Sequence, residues 1–270
     1  PEGRKMRRLR RGLAGLLLLA GLGPTLPSTA AETDLAYGAY QTGHYRRALR
    51  EALKRIEADS SDASAMTLVG ELYRQGLGVP PDQKVATEWY ERAAARGDIN
   101  ATYALAVALL DAAPGLGDPA RAGTLLRQAA AAGHPAANYN LALALLATGQ
   151  AQDDEAAVKH LQIAANSGIP DAMHALGTLA RQGRGMPKSD VQAAEWMAKA
   201  AGAGHLPAEI EYAIMLFNGA GIPRDETAAA KLFLRAAGKG RAAAPGRPPR
   251  RQPHRGRGLD GALTGEQVTG

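Results

Sequence analysis

A doublet of alanines recurs at positions 93, 129, 164, 200 and 236, and each time a glycine follows four residues after its start, at 97, 133, 168, 204 and 240. The doublets are spaced by 36, 35, 36 and 36 residues. Three further registers keep the same period. An opening alanine stands at 65, 101, 137, 172 and 208; a small residue follows five positions later (Gly70, Ala106, Ala142, Gly177, Ala213); and another alanine falls at 86, 122, 157, 193 and 229. Four registers held through five copies define a unit of supersecondary structure that must stack on its neighbours to bury a core. This excludes a single closed globular core. It divides the chain into repeats 62–97, 98–133, 134–168, 169–204 and 205–240.

Each unit is predicted to be a pair of helices. Apolar residues at four and eight positions after the opening alanine, such as Val69 and Tyr73 or Leu105 and Leu109, make a helical stripe. Gly76-Leu-Gly78, Gly183-Arg-Gly185 and Gly219-Ala-Gly221 end the first helix, with Pro80, Pro187 and Pro223 blocking its continuation. Asp82, Asp118, Asp190 and Asp225 are the expected N-caps of the second helix, and Pro119 suits its first turn. A bulky residue four before the doublet is expected to fill the pair: Trp89, Leu125, Trp196 and Leu232, with Leu161 substituting where His160 occupies that position. Composition agrees with closely spaced helices. The chain is 46% hydrophobic but only 4% aromatic, so its core is built from Ala, the best helix former, and Leu.

Residues 32–61 read as a looser helical pair, Tyr37–Tyr40 and Tyr45–Ile56 around Thr42-Gly43-His44, placed to cap the array. With all these elements in order, the stretches AMTLVGELYRQGLGV (65–79) ending in AAARG (93–97), and AMHALGTLARQGRGM (172–186) ending in AAGAG (200–204), resemble the Sel-1-like repeat, a relative of the tetratricopeptide repeat. The resemblance covers residues 62–240. Copies two and three depart from it in the turn, at 112–117 and 148–151, where Gly-x-Gly followed by Val or Ile and Pro is missing. It implies an all-α, right-handed solenoid of antiparallel helix pairs with a concave binding surface, used as an adaptor for other proteins.

Met6 opens MRRLRR, an apolar run fills 13–23, and small residues surround Ala30 and Ala31. That layout is read as a secretory signal over 1–31, with 1–5 an upstream extension and the mature chain beginning near Glu32. Eleven apolar residues are too few to span a bilayer core that needs about 20. A periplasmic or secreted protein with no membrane span after cleavage is the expectation. With no Cys in the sequence, disulfides and thiolate metal sites are excluded. The net charge of +6 is terminal in origin: residues 1–31 and 241–270 carry twelve of the 32 basic side chains and three of the 26 acidic ones. The body, 32–240, is therefore mildly acidic and lacks the basic face that nucleic acid demands. The Arg/Pro/Gly-rich segment 241–270 has no apolar periodicity and is read as a disordered tail. An abrupt loss of reading frame in a GC-rich gene would leave such a tail.

No His-Glu-x-x-His, Gly-x-Ser-x-Gly or phosphate-loop pattern occurs, so no catalytic residue, metal or cofactor is assigned. His134 and His205 occupy the same position after the inter-repeat glycine and read as turn residues, and Asp153-Asp154-Glu155 as a capping cluster. The remaining signal is a strip two, six and nine positions after the opening alanine. It comprises Tyr103, Val107 and Leu110, then Tyr139, Leu143 and Leu146, then Ile210, Ile214 and Phe217, whereas copies one and four carry Thr67, Glu71, Arg74 and His174, Thr178, Arg181. The strip is either a partner groove or the packing surface between neighbouring first helices. The expected function is that of an exported protein–protein interaction scaffold, not an enzyme, that assembles or regulates envelope proteins. A cell-wall-related ligand-binding protein or enzyme is the alternative, followed by nucleic-acid binding through the tail.

Overall fold

A computed structural model describes residues 34–111 and 117–243, and among these every regular element is a helix. The helices are α1 (Leu35–Gln41), α2 (Tyr45–Ala58), α3 (Ala63–Gln75), α4 (Gln83–Ala94), α5 (Ile99–Asp111), α6 (Pro119–Ala131), α7 (Pro135–Thr148), α8 (Ala151–Asn166), α9 (Pro170–Gln182), α10 (Asp190–Gly202), α11 (Leu206–Asn218) and α12 (Glu226–Ala243). Each helix packs chiefly against its neighbours in sequence, the one-dimensional contact pattern of a solenoid. None of the described helices is long and apolar enough to cross a membrane. The export signal read over 1–31 and most of the turn at 112–117 lie outside the described residues, as does the tail from 244 on.

Alanine sets the spacing. The opening alanines and those at 86, 122, 157, 193 and 229 are at most 1% exposed. A longer side chain there would push helices apart, an overpacking cost of about 1–3 kcal/mol. The small residue five after the opening alanine makes room for the second helix. A Cβ on Gly70 would stand 2.6 Å from Tyr90 Cε1, and one on Gly177 2.9 Å from Met197 Cε. These contacts correct the expected filler by one position. Tyr90, Leu126, Leu161 and Met197, three before the doublet, are the buried side chains, whereas Trp89, Leu125 and Trp196 are half-buried at the edge. Leu161 fills the site beside His160 as expected.

Both turns are closed by backbone geometry. Gly76, Gly183 and Gly219 take left-handed conformations, and the next amide donates back to the fifth residue before it, as Leu77 N–H does to Leu72 O at 2.9 Å. The second glycine of the turn is required for another reason. A Cβ on Gly185 would overlap the backbone oxygen of Asp154, and one on Gly221 that of Asp190. The turn of one repeat thus lies directly on the start of the second helix of the repeat before. Asp82, Asp118 and Asp225 cap the second helices, accepting from Val85, Arg121 and Ala228 N–H. Asp190 does not: Ser189 Oγ accepts from Gln192 N–H, one residue earlier, and Asp190 is the first helical residue. The last helix also departs from expectation. It runs through Gly240 to Ala243, three residues into the segment read as tail, because Arg241-Ala-Ala is compatible with helix and no new capping residue follows Gly240.

Candidate functional site

Between the capping pair and the first helices of repeats one and two lies a small cleft of about 90 Å³, reached by Asp34, Arg55, Thr67, Glu71, Asp98 and Asn100. Arg55 on α2 holds its wall together. Its guanidinium donates from Nη1 to Asp34 Oδ2 at 2.6 Å and forks onto Asp62, Nε to Oδ2 at 2.8 Å and Nη2 to Oδ1 at 3.1 Å. Both carboxylates already cap helices, Asp34 the N–H groups of Ala36 and Tyr37 and Asp62 that of Ala65, so one arginine locks the starts of α1 and α3 together.

The floor of the cleft is a buried carboxylate. Glu71 is 4% exposed and accepts from Arg74 Nη2 at 2.7 Å, Arg74 Nε at 3.0 Å, Tyr90 Oη at 2.8 Å and Gln75 Nε2. Burial alone would raise its pKa, but these donors and the Arg74 charge outweigh burial and hold it below the ordinary value. Burial and the Glu71 charge push the Tyr90 hydroxyl well above its usual range, so it serves only as a donor.

Asp98 differs from both. It caps α5 by accepting from Ala101 N–H at 2.7 Å, and among the described residues no cation pairs with it. Burial raises its pKa despite the bonds from Ala101, Thr67 and Asn100. With Asp34, Asp62, Glu71 and Asp98 against Arg55 and Arg74, the cleft region carries a surplus of negative charge.

The candidate strip does not form a continuous groove. Tyr103 and Val107 are buried, 3% and 5% exposed, and Leu110 is half-buried beside them. Tyr103 stacks on the His134 ring at 4.4 Å between centroids, and its hydroxyl accepts from Asn140 Nδ2 at 3.1 Å. Tyr139, Leu143 and Leu146 are half-buried, with Tyr139 and Leu146 packed against the Leu161–Leu176 cluster that joins repeats three and four. Of the two readings of the strip, packing between repeats accounts for Tyr103 and Val107, while Leu110, Tyr139, Leu143 and Leu146 keep part of their surface open. Ile210, Ile214 and Phe217 in copy five stay exposed, at 39%, 44% and 48%.

His134 and His205 are N-caps, whose Nδ1 atoms accept from Ala137 and Ala208 N–H at 3.1 and 3.2 Å. A capping Nδ1 must be unprotonated, and burial favours that, lowering His134 to about 4 and His205 in the same direction. Around His205 stand His174 (4.8 Å between rings), Asp171 (3.4 Å) and, bonded to His174 at 3.0 Å, Glu211. Asp154, read as a cap, instead pairs with Arg184 from the following repeat, 2.6 Å from Nε and 2.5 Å from Nη2. Among the described residues no three His, Asp or Glu side chains stand where they could hold a metal ion.

The polar cleft is not visible in the sequence because its residues come from separate helices, although Thr67, Glu71 and Arg74 signal it by breaking the apolar strip.

Five consecutive segments, 63–98, 99–134, 135–169, 170–205 and 206–240, match the Sel1 repeat. A comparison with curated proteins gives no match. Among solved structures, a Sel1 repeat protein from Oxalobacter formigenes superposes with a TM-score of 0.66 at 24% identity, over 76% of this chain and 81% of that one. A protective antigen present in uropathogenic Escherichia coli, described as displaying an SLR fold, gives 0.64 at 28% identity over 72% of this chain, which spans only 41% of that protein. The immunity protein Pa5087 from Pseudomonas aeruginosa gives 0.51 at 19% identity, over 78% and 84% of the two chains, a likeness of fold alone. With the family's repeats filling residues 63–240 and the helix pairs stacked in that register, the chain belongs to the Sel1 repeat family.

Proposed function

We propose that this protein is an exported interaction scaffold that assembles or regulates proteins of the cell envelope, and that it engages a partner through the cleft between α1, α3 and α5. Sel1 repeat proteins are typically protein-interaction scaffolds, which supports the general reading. The secretory layout of residues 1–31 supports export. The observation that carries the site is Asp98, a partly buried carboxylate with no cation of its own in a cleft with surplus negative charge. A lysine or arginine side chain of an extended partner segment would supply the missing charge. The same polar cleft also favours the cell-wall ligand reading, which fails if the captured molecule is a protein.

Affinity capture from an envelope fraction with the full chain, beside an Asp98→Asn variant of equal helicity, tests the reading. Asn retains the capping oxygen and removes the charge, so the expected result is a specific protein held by the parent and released by the variant at moderate salt. Retention by both moves the interface elsewhere; no protein partner overturns the scaffold reading. Cell fractionation with sequencing of the mature N-terminus tests export, with cleavage expected after Ala30 or Ala31.

A further inference from the structure

The residue that follows each inter-repeat glycine stands at the start of the next first helix, and its chemistry changes along the array. Asp98 caps α5 in copy two, His134 caps α7 in copy three, Ile169 gives α9 no side-chain cap in copy four, and His205 caps α11 in copy five. An imidazole caps a helix only while the nitrogen facing the backbone carries no proton. Copies three and five therefore hold caps that acid removes.

The two histidines stand in opposite surroundings. Asp171 lies 3.4 Å from His205 Nε2 and Glu211 bonds the neighbouring His174, so carboxylates are at hand to balance a proton there. Burial is the one influence on His134. From α5, Tyr103 lies against its ring at 4.4 Å between centroids and 23° between planes, and Arg74 and Asp111 act on the Tyr103 hydroxyl with opposite sign. From α6, the Ala129 carbonyl accepts from the His134 backbone N–H at 2.9 Å. From α8, His160 reaches the junction only through Asn138. Asn138 Nδ2 donates to Ala130 O and His134 O, each at 3.0 Å, which leaves its Oδ1 to accept from His160 Nδ1 at 2.8 Å. His160 keeps that bond when its other nitrogen takes a proton, so it is not the trigger.

His134 has no such outlet. The face of Tyr103 tolerates a cation, but a proton on Nδ1 points at the Ala137 N–H, donor against donor. The ring must then give up its cap, which lies on α7, or its stack, which lies on α5. Burial holds His134 at about 4, against 6.5 once the ring is free in water. The closed junction thus has its full advantage above 6.5 and loses it as pH falls from there toward 4. Burial moves Asp98 in the opposite direction, so acid does not loosen copy two through its cap.

We infer that His134 is an acid-operated release between repeats two and three, whose protonation parts α7 from α5 and α6 and uncovers Tyr103 and Val107 while the repeats on either side stay folded. A solenoid permits this, because each helix packs chiefly on its neighbours in sequence and one junction opens without the rest. The inference holds whether or not the acidic cleft binds a partner.

Hydrogen exchange of the full chain, read by mass spectrometry at pH 7, 6 and 5 as protection corrected for the intrinsic exchange rate, tests it. Opening should rise roughly twentyfold from pH 7 to pH 5 in segments 99–111 and 134–148, with much smaller changes in 35–58 and 206–218. His134→Asn, which caps without titrating, should abolish the rise, and His160→Gln should retain it. Should His134→Asn lose helicity by circular dichroism, His134→Asp, which caps as Asp98 does, serves in its place. No rise in the parent, a rise that persists without His134, or a rise spread evenly over all repeats overturns the inference.

Discussion

The junction between repeats two and three and that between repeats four and five place three residues at identical offsets and give them opposite chemistry. At the first, Tyr103 stacks on the capping His134 and accepts from Asn140. At the second, His174 lies against the capping His205 and pairs with Glu211, whose other oxygen lies 3.0 Å from Arg181. The separations in sequence, 31 and then six residues, are the same in both. One junction is neutral and buried; the other is ionic and partly exposed. Repeat geometry therefore fixes where side chains meet and leaves open what they are. A solenoid can vary its chemistry along one ridge without changing its backbone.

The sharpest way to break this comparison is to remove the central side chain from each junction. Tyr103→Ala deletes a buried aromatic and is expected to cost about 3–5 kcal/mol in denaturant unfolding. His174→Ala, at a side chain 25% exposed, should cost about 1 kcal/mol. Equal losses would mean that the junctions are not built differently.

The third partners separate the two by less. Asn140→Ala leaves the buried Tyr103 hydroxyl without its donor, at about 1–3 kcal/mol, and the loss should be the same in low and high salt. Glu211→Gln should cost no more than about 1 kcal/mol, and that loss should shrink toward zero in about 1 M salt, because the ion pair is half-exposed.

Acid provides a further contrast. The unfolded chain takes up a proton on His134 near the ordinary value of 6.5, whereas the folded chain resists until about 4. Stability is therefore full above 6.5 and falls as pH drops through that window. His134→Asn, which caps without titrating, should flatten this part of a stability–pH curve. His205 is lowered too, but the neighbouring carboxylates of Asp171 and Glu211 oppose the burial that lowers it, so His205→Asn should flatten the curve less.

The repeats and their pairing were legible because alanine spacing is a property of one helix against its partner. What lies between repeats was not. Whether Tyr103 faces a groove or the next helix depends on the rotation of α5 relative to α7, which no spacing within α5 encodes. For the same reason the buried filler proved to be Tyr90 and not Trp89: both lie on one side of α4, and only the approach of α5 chooses between them. The second turn glycine is a similar case. Gly185 reads as a helix stop, yet the requirement at that position comes from Asp154 in the preceding repeat. The cleft needed its helices in place before Glu71, Arg55 and Asp98 could be seen together, although each departs from the apolar pattern around it.

One stripe of the repeat is buried in copy two, half-buried in copy three and exposed in copy five. The absence of cysteine from the sequence makes it directly measurable, since a single introduced thiol reports one position. Val107→Cys, Leu143→Cys and Ile214→Cys occupy the same repeat position in copies two, three and five. Modification by a neutral thiol reagent under native conditions should be fast at 214, intermediate at 143 and slower by about a hundredfold or more at 107, where reaction must await local opening. Equal rates at 107 and 214 would contradict the account, because the stripe would then be a continuous open groove.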